Sequence, residues 1–183
     1  MEILAHGLWT GAVAKGVNKK LATSLNAKQT IFWGIFPDIF GFIVLSGWFI
    51  IVVALGKLGL IDIFNYKVIS SVPRNPAWLF RDVVPGVYSI THSFIIFGFM
   101  FLGAYMFCKR PVWELLGWPF HIVIDIFTHS ADFNPTPFLW PLQSPRVNGV
   151  TWYDARFTFI NYGLIIFVYI LLWAFRKRKP IET

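Results

Sequence analysis

Apolar residues run almost unbroken through three stretches of the chain, Ile31 to Leu55, Tyr88 to Cys108 and Phe157 to Phe175, with charges held back to their ends. Each is within or near the roughly 20 residues that a helix needs to cross the hydrocarbon core of a bilayer. A fourth run, Val112 to Thr128, is slightly shorter, and Met1 to Ala14 is too short to predict a span by itself. Pro37 lies inside the first long run and predicts a kink, tolerated in a membrane helix because neighbours re-satisfy the freed carbonyl. The pattern predicts an all-α fold, a polytopic membrane helical bundle with about 4–5 transmembrane helices. No linker, low-complexity tract or repeat divides residues 1–183, which read as a single domain. The stretch MEILAHGLWTGAVAKGVNKK is apolar before it is basic, the reverse of a signal peptide, and is expected to be retained.

Composition sharpens the membrane reading. Hydrophobic residues make up 56% of the chain and charged ones 14%, and a water-soluble domain would struggle to hide 20 Phe and 9 Trp. The net charge of +7 does not point to nucleic acid, because the cations sit at the ends of apolar segments and are not interleaved with aromatics along a polar face. They fit membrane topology instead. With Arg176, Lys177, Arg178 and Lys179 in the cytoplasm, alternating spans bring Lys15, Lys19, Lys20, Lys28, Lys109 and Arg110 to the same side. Lys57, Lys67, Arg74, Arg81, Arg146 and Arg156 then face outward, an excess of cations inside as the positive-inside rule requires. Trp78, Trp140 and Trp152 fall near the outer interface, and Trp113 and Trp173 near the inner one. The expected location is integral to the inner (plasma) membrane, with the C-terminus cytoplasmic. Cys108 is the sole cysteine, so an intrachain disulfide and Cys-rich zinc patterns are excluded; near a membrane boundary it is a palmitoylation candidate or an inert thiol.

All four histidines, His6, His92, His121 and His129, lie within or beside apolar segments, where ionisable groups are costly and usually functional. In GWPFHIVIDIFTHS, His121, Asp125, Thr128 and His129 share one face of a helix. Neutral imidazole and carboxylate at that spacing suit zinc or another divalent first-row metal. Counting helical rise from the presumed cytoplasmic boundaries puts Asp38 and His121 at roughly 15 Å, His6 and Asp125 at roughly 20 Å and His92 at roughly 24 Å, all in one slab toward the outer half. Blander roles stand beside this one. His6 alone reads equally as a hydrogen-bonding residue between helices, Asp38 as the cap of a helix restarting after Pro37, Thr91 and Ser93 as caps of the helix holding His92, and His121 with Asp125 as a hydrogen-bonded pair.

The order His6, Pro37-Asp38, Thr91-His92-Ser93, His121 with Asp125, then Leu139-Trp140-Pro141 resembles the YdjM-type, LexA-regulated inner-membrane family of metal-dependent hydrolases. The likeness covers residues 6 to 141, and the His-x-x-x-Asp pair also looks like that of zinc-dependent phospholipase C. The chain departs from the family pattern where Ile39-Phe40-Gly41 follows Pro-Asp in place of Ile-Asp-His, and where Val87-Tyr88-Ser89 stands in place of His-Arg-Gly. The resemblance implies a hydrolase and leaves a two-metal site in doubt; His129, where the family often carries proline, is a candidate replacement ligand.

Together the residues and the resemblance predict metal ligands His6, Asp38, His92, His121 and Asp125, with Asp125, His92 and His129 as catalytic groups. The cofactor expected is a divalent metal, zinc first. The partners expected are membrane lipids and a lipid or phosphoester substrate, with Arg146 either holding an anionic head group or anchoring its loop at the interface. A metal-free lipid phosphatase fits poorly: Arg110-Pro111 is present, but the upstream Lys and a Ser-Gly-His are not. A non-enzymatic scaffold with a structural His/Asp metal or hydrogen-bond cluster remains the alternative of a different class.

Overall fold

The computed structural model describes residues 1–21, 24–57, 59, 77–131, 135–143, 145 and 147–175. Lys67, Arg74, Arg146 and the basic cluster Arg176 to Lys179 lie outside them. Among the described residues six α-helices make the all-α fold: α1 (Ile3–Lys20), α2 (Ala27–Ala54), α3 (Val84–Thr91), α4 (Phe94–Cys108), α5 (Gly117–Thr128) and α6 (Ala155–Ala174). A π-helical turn, Leu79–Val83, leads into α3, and a 3-10 turn, Trp113–Leu116, leads into α5.

Among the described residues α2 and α6, of 28 and 20 residues, are long and apolar enough to cross a membrane. The segment Leu79–Thr91 and α4 form a third candidate, bent by 59° at their junction. Two or three candidate spans therefore stand where four or five are expected from the hydropathy pattern. The 12 residues of α5 reach only about 18 Å at 1.5 Å per residue, and α1 carries Lys15, Lys19 and Lys20 in its second half. The burial pattern is inverted relative to a water-soluble protein. Phe107, Phe159 and Phe99 are 90%, 82% and 70% exposed, whereas the largest fully buried side chains are Ile122, His6, His92, His121, Thr10, Asp125 and Ser93. Lipid is the solvent such a surface fits, and the polar groups it cannot face are gathered inside.

Small residues set how closely the helices meet. A side chain at Gly34 of α2 would collide with Thr10 of α1, and one at Gly117 of α5 would collide with the Thr30 carbonyl and come within 2.9 Å of the Gly34 nitrogen. Three helices thus touch at Thr10, Gly34 and Gly117, the close approach that small residues permit between membrane helices. One helical turn from each contact stands an ionisable residue: His6, Asp38 and His121. Contact with α6 holds α1 in place, through Trp9 Nε1 to Asn161 Oδ1 (2.9 Å), Tyr162 Oη to Glu2 Oε1 (2.7 Å) and Tyr169 Oη to the Leu8 carbonyl (3.0 Å). Glu2 also caps α1, accepting from the Leu4 and Ala5 amides.

The expected continuous helix from Tyr88 to Cys108 is broken. His92 is the C-cap that follows α3, and Ser93 starts α4 as its N-cap, accepting from the Ile95 and Ile96 amides. Non-helical backbone at membrane depth must be satisfied by protein. Here Trp118 Nε1 donates to the Thr91 carbonyl (2.6 Å), Ser93 Oγ to the Trp140 carbonyl (2.5 Å), and the Phe94 amide to the Phe138 carbonyl (2.9 Å). The segment around Pro137 to Pro141 therefore plugs the break. By contrast α2 runs through Pro37 and Asp38 without restarting, so Asp38 is not a helix cap.

Candidate metal centre

Four of the expected residues come together from three elements. One ligand-type atom each from Asp38, His92, His121 and Asp125 lies within 4.8 Å of every other, so this buried group has the chemistry to hold a metal ion. Its tautomers are fixed from behind. His121 Nδ1 is 2.7 Å from the Gly34 carbonyl and His92 Nδ1 is 2.9 Å from the Tyr88 carbonyl. A carbonyl can only accept, so each Nδ1 carries the proton and each neutral ring presents a bare Nε2 to the centre.

What meets there is a set of acceptors. The two Nε2 atoms are 3.1 Å apart. Asp125 Oδ2 is 3.3 Å from His92 Nε2 and 3.2 Å from His121 Nε2, and Asp38 Oδ1 is 3.5 and 3.6 Å from the same two nitrogens. Two imidazole lone pairs and two carboxylates at such distances repel unless positive charge lies among them, as extra protons or as one cation. The separations are compatible with a cation. A tetrahedral zinc site with bonds of 2.0–2.1 Å has six ligand–ligand edges of roughly 3.3–3.4 Å; the five edges above run from 3.1 to 3.6 Å, and the sixth, between the two carboxylates, is within 4.8 Å. His92, His121 and Asp125 are almost fully buried, while the Asp38 side chain is 20% exposed and marks the accessible side.

The remaining expected residues sit around this group. The His6 ring stacks on His121 with centroids 3.6 Å apart, and its Nε2 is 2.9 Å from Asp125 Oδ1 but 4.0 Å from Asp38 Oδ2. It meets the carboxylate oxygen turned away from the two bare imidazoles, an oxygen also contacted by the Met1 amino group. His129 has left the helical face on which the spacing predicted it. It is the extended residue that ends α5, its carbonyl accepting from the Gly149 amide, and its Nδ1 is 3.0 Å from the Asp125 carbonyl and 3.6 Å from Asp125 Oδ1. Arg146, expected to hold a head group or anchor its loop, is outside the described residues.

Sequence reading passed over Tyr88, Thr136 and Gly34. Tyr88 stacks on His92 with ring centroids 3.8 Å apart, and its hydroxyl and that of Thr136 are buried without a hydrogen-bond partner. The available signal was helical spacing: Tyr88 lies four residues before His92, and Gly34 four before Asp38. Compared with known proteins, no family model, no curated protein and no solved structure matches the chain. The likeness to YdjM-type hydrolases rests on the residues that carry it.

Proposed function

We propose that this chain is a membrane-embedded metal-dependent hydrolase in which Asp38, His92, His121 and Asp125 hold one divalent cation, zinc by the character of its donors. The observation that carries the reading is the convergence of four buried or half-buried acceptor atoms, one from each residue, all within 4.8 Å of one another. A cation held there supplies an acidified water and polarises an ester oxygen. The protein's own groups do the rest. The Gly34 and Tyr88 carbonyls lock the imidazoles, His6 holds Asp125 by its second oxygen, and Asp38 stands on the side from which substrate and water enter. His129, tethered to the Asp125 carbonyl, is the group placed to move a proton beside the cluster.

The apolar outer faces of α2, α4 and α6 support membrane lipids as neighbours and a lipid or phosphoester as substrate. The distribution of Lys and Arg supports an inner-membrane orientation with the C-terminus cytoplasmic and the site toward the outer half, and allows α1 and α5 to complete four or five spans beside longer neighbours. A second reading, a structural metal clasp, is favoured by one feature: four protein donors can close a tetrahedron, whereas catalytic zinc keeps a position open. Zinc-loaded protein in lipid nanodiscs separates the two. The hydrolase reading expects turnover of a phospholipid or phosphoester that chelation abolishes and zinc restores; zinc retained with no turnover across such a panel supports the clasp.

A further inference from the structure

We propose that a slot between α1, the start of α2 and the start of α5 binds the hydrocarbon chain of a single-chain lipid with an anionic head, a fatty-acid carboxylate. The slot is separate from the Asp38/His92/His121/Asp125 cluster, and its binding does not depend on what the cluster holds.

A cavity of about 430 Å³ lies beside the contact of Thr10 with Gly117. Its longest wall is Thr10, Val13, Val17 and Leu21, a single stripe down α1 that ends at the helix C-cap. From Thr10 to Leu21 the helix rises about 16 Å, so the volume spread over that length has a cross-section of about 27 Å². That is the width of one hydrocarbon chain. Thr10 and Gly117 are buried and close one end; Leu21 and Trp113 are exposed and mark the other as the mouth. The walls offer little but hydrocarbon. Thr10 and Thr30 bring hydroxyls, but both protons are already given, to the His6 carbonyl at 2.7 Å and the Asn26 carbonyl at 2.9 Å. The other lining residues are aliphatic, aromatic or glycine, and a cavity lined in this way stays dry and takes an apolar guest.

Charge at the mouth selects the head. Lys20 is exposed and stands seven residues after Val13, on the same side of α1. Leu25 and Thr30, which line the slot, bracket the start of α2, whose first turn has no acidic residue, carries the exposed Lys28 and begins the positive end of the helix dipole. Against these stands Glu114, whose Oε1 already accepts from the Asn26 amide at 3.1 Å. Two cations and a helix N-terminus against one carboxylate suit a head with one negative charge. The mouth is also preformed, because Asn18 holds Leu25 by both backbone groups, at 2.6 Å through its amide and 2.8 Å through its carbonyl. A head placed here lies at the basic end of α1, while the tail of the chain points toward Thr10 and Gly117, one turn short of His6 and His121. A lipid bound in the slot therefore does not present its head to the cluster.

The test follows tryptophan fluorescence of the full chain in nanodiscs of zwitterionic lipid as dibromostearate, whose bromines quench indole on contact, is added at alkaline pH. Trp113 lines the slot, so wild type is expected to show a saturable loss of fluorescence on top of the gradual loss from lipid-facing tryptophans. Trp113→Phe should lack the saturable part, and Val17→Phe, which fills the slot, should lack it too. Lys20→Gln combined with Lys28→Gln should weaken binding about tenfold, and dibromostearyl alcohol, the same chain without the charge, should bind wild type weaker by a similar factor. Melting temperatures are recorded for every variant, and Val13→Phe, on the same stripe but exposed, takes the place of Val17→Phe if that protein does not fold. Quenching that never saturates in wild type, saturation that survives in the folded slot-filling variant, or an alcohol that binds as tightly as the acid overturns the proposal.

Discussion

Replacing Gly117 by alanine tests why the cluster converges at all. The added methyl would collide with the Thr30 carbonyl, stand 2.9 Å from the Gly34 nitrogen and 3.2 Å from Thr10 Cγ2. Two of these neighbours are backbone and cannot rotate away, so α5 must move from α2 by on the order of 1 Å, at a cost of about 1–3 kcal/mol for overpacking. His121 lies one turn along α5 and Asp38 one turn along α2 from this contact. The Asp38–His121 edge, 3.6 Å in the native arrangement, would open toward about 4.6 Å, beyond what one ion spans with bonds near 2 Å. The expected result is a 10- to 100-fold loss of zinc affinity, of the order seen when groups that orient ligands are disturbed, measured by competition with a chromogenic chelator. Gly98→Ala in α4 is the control, because nothing lies within 4 Å of a methyl there; it should bind zinc as wild type does. Native zinc affinity in Gly117→Ala would refute the idea that this glycine contact sets the ligand geometry.

Acid should empty the site: imidazole binds metal only in its neutral form, so protons compete with the ion and zinc affinity should fall as pH is lowered. A pH series of zinc competition titrations checks the sign, and affinity that rises toward acid pH would contradict it. Saturating zinc at about 100 times its Kd should stabilise the fold by roughly 2.7 kcal/mol, read as a melting temperature that falls on chelation in wild type and does not move in His121→Ala. Ser93→Ala removes both the α4 cap and the bond to the Trp140 carbonyl; a loss of about 1–2 kcal/mol is expected in reversible detergent unfolding, and an unchanged stability would mean that the α3–α4 break is held by other contacts.

Much of this arrangement was legible in the sequence because lipid leaves few places for a polar residue. The runs read as Ile31 to Leu55 and Phe157 to Phe175 are the helices Ala27–Ala54 and Ala155–Ala174, and His6, Asp38, His92, His121 and Asp125 stood out because each interrupts apolar sequence. Hydropathy could not show the break at His92. One helix ends at His92 and the next begins at Ser93, where the Trp140 and Phe138 carbonyls, more than forty residues away, receive the Ser93 hydroxyl and the Phe94 amide. Helical spacing likewise put His129 on the His121 face, whereas pairing with Gly149 draws it into extended backbone. Tyr88 stood out in the sequence only as part of a departure from the family pattern, and its stacking on the His92 ring becomes visible only in the fold.

Metal content of the purified protein, with and without the paired substitution His121→Ala and Asp125→Ala, bears most directly on whether these side chains form one metal centre. One equivalent of a divalent ion in wild type and none in the double variant is the predicted result. The same stoichiometry in both proteins, or no metal in wild type grown with ample zinc, would contradict it.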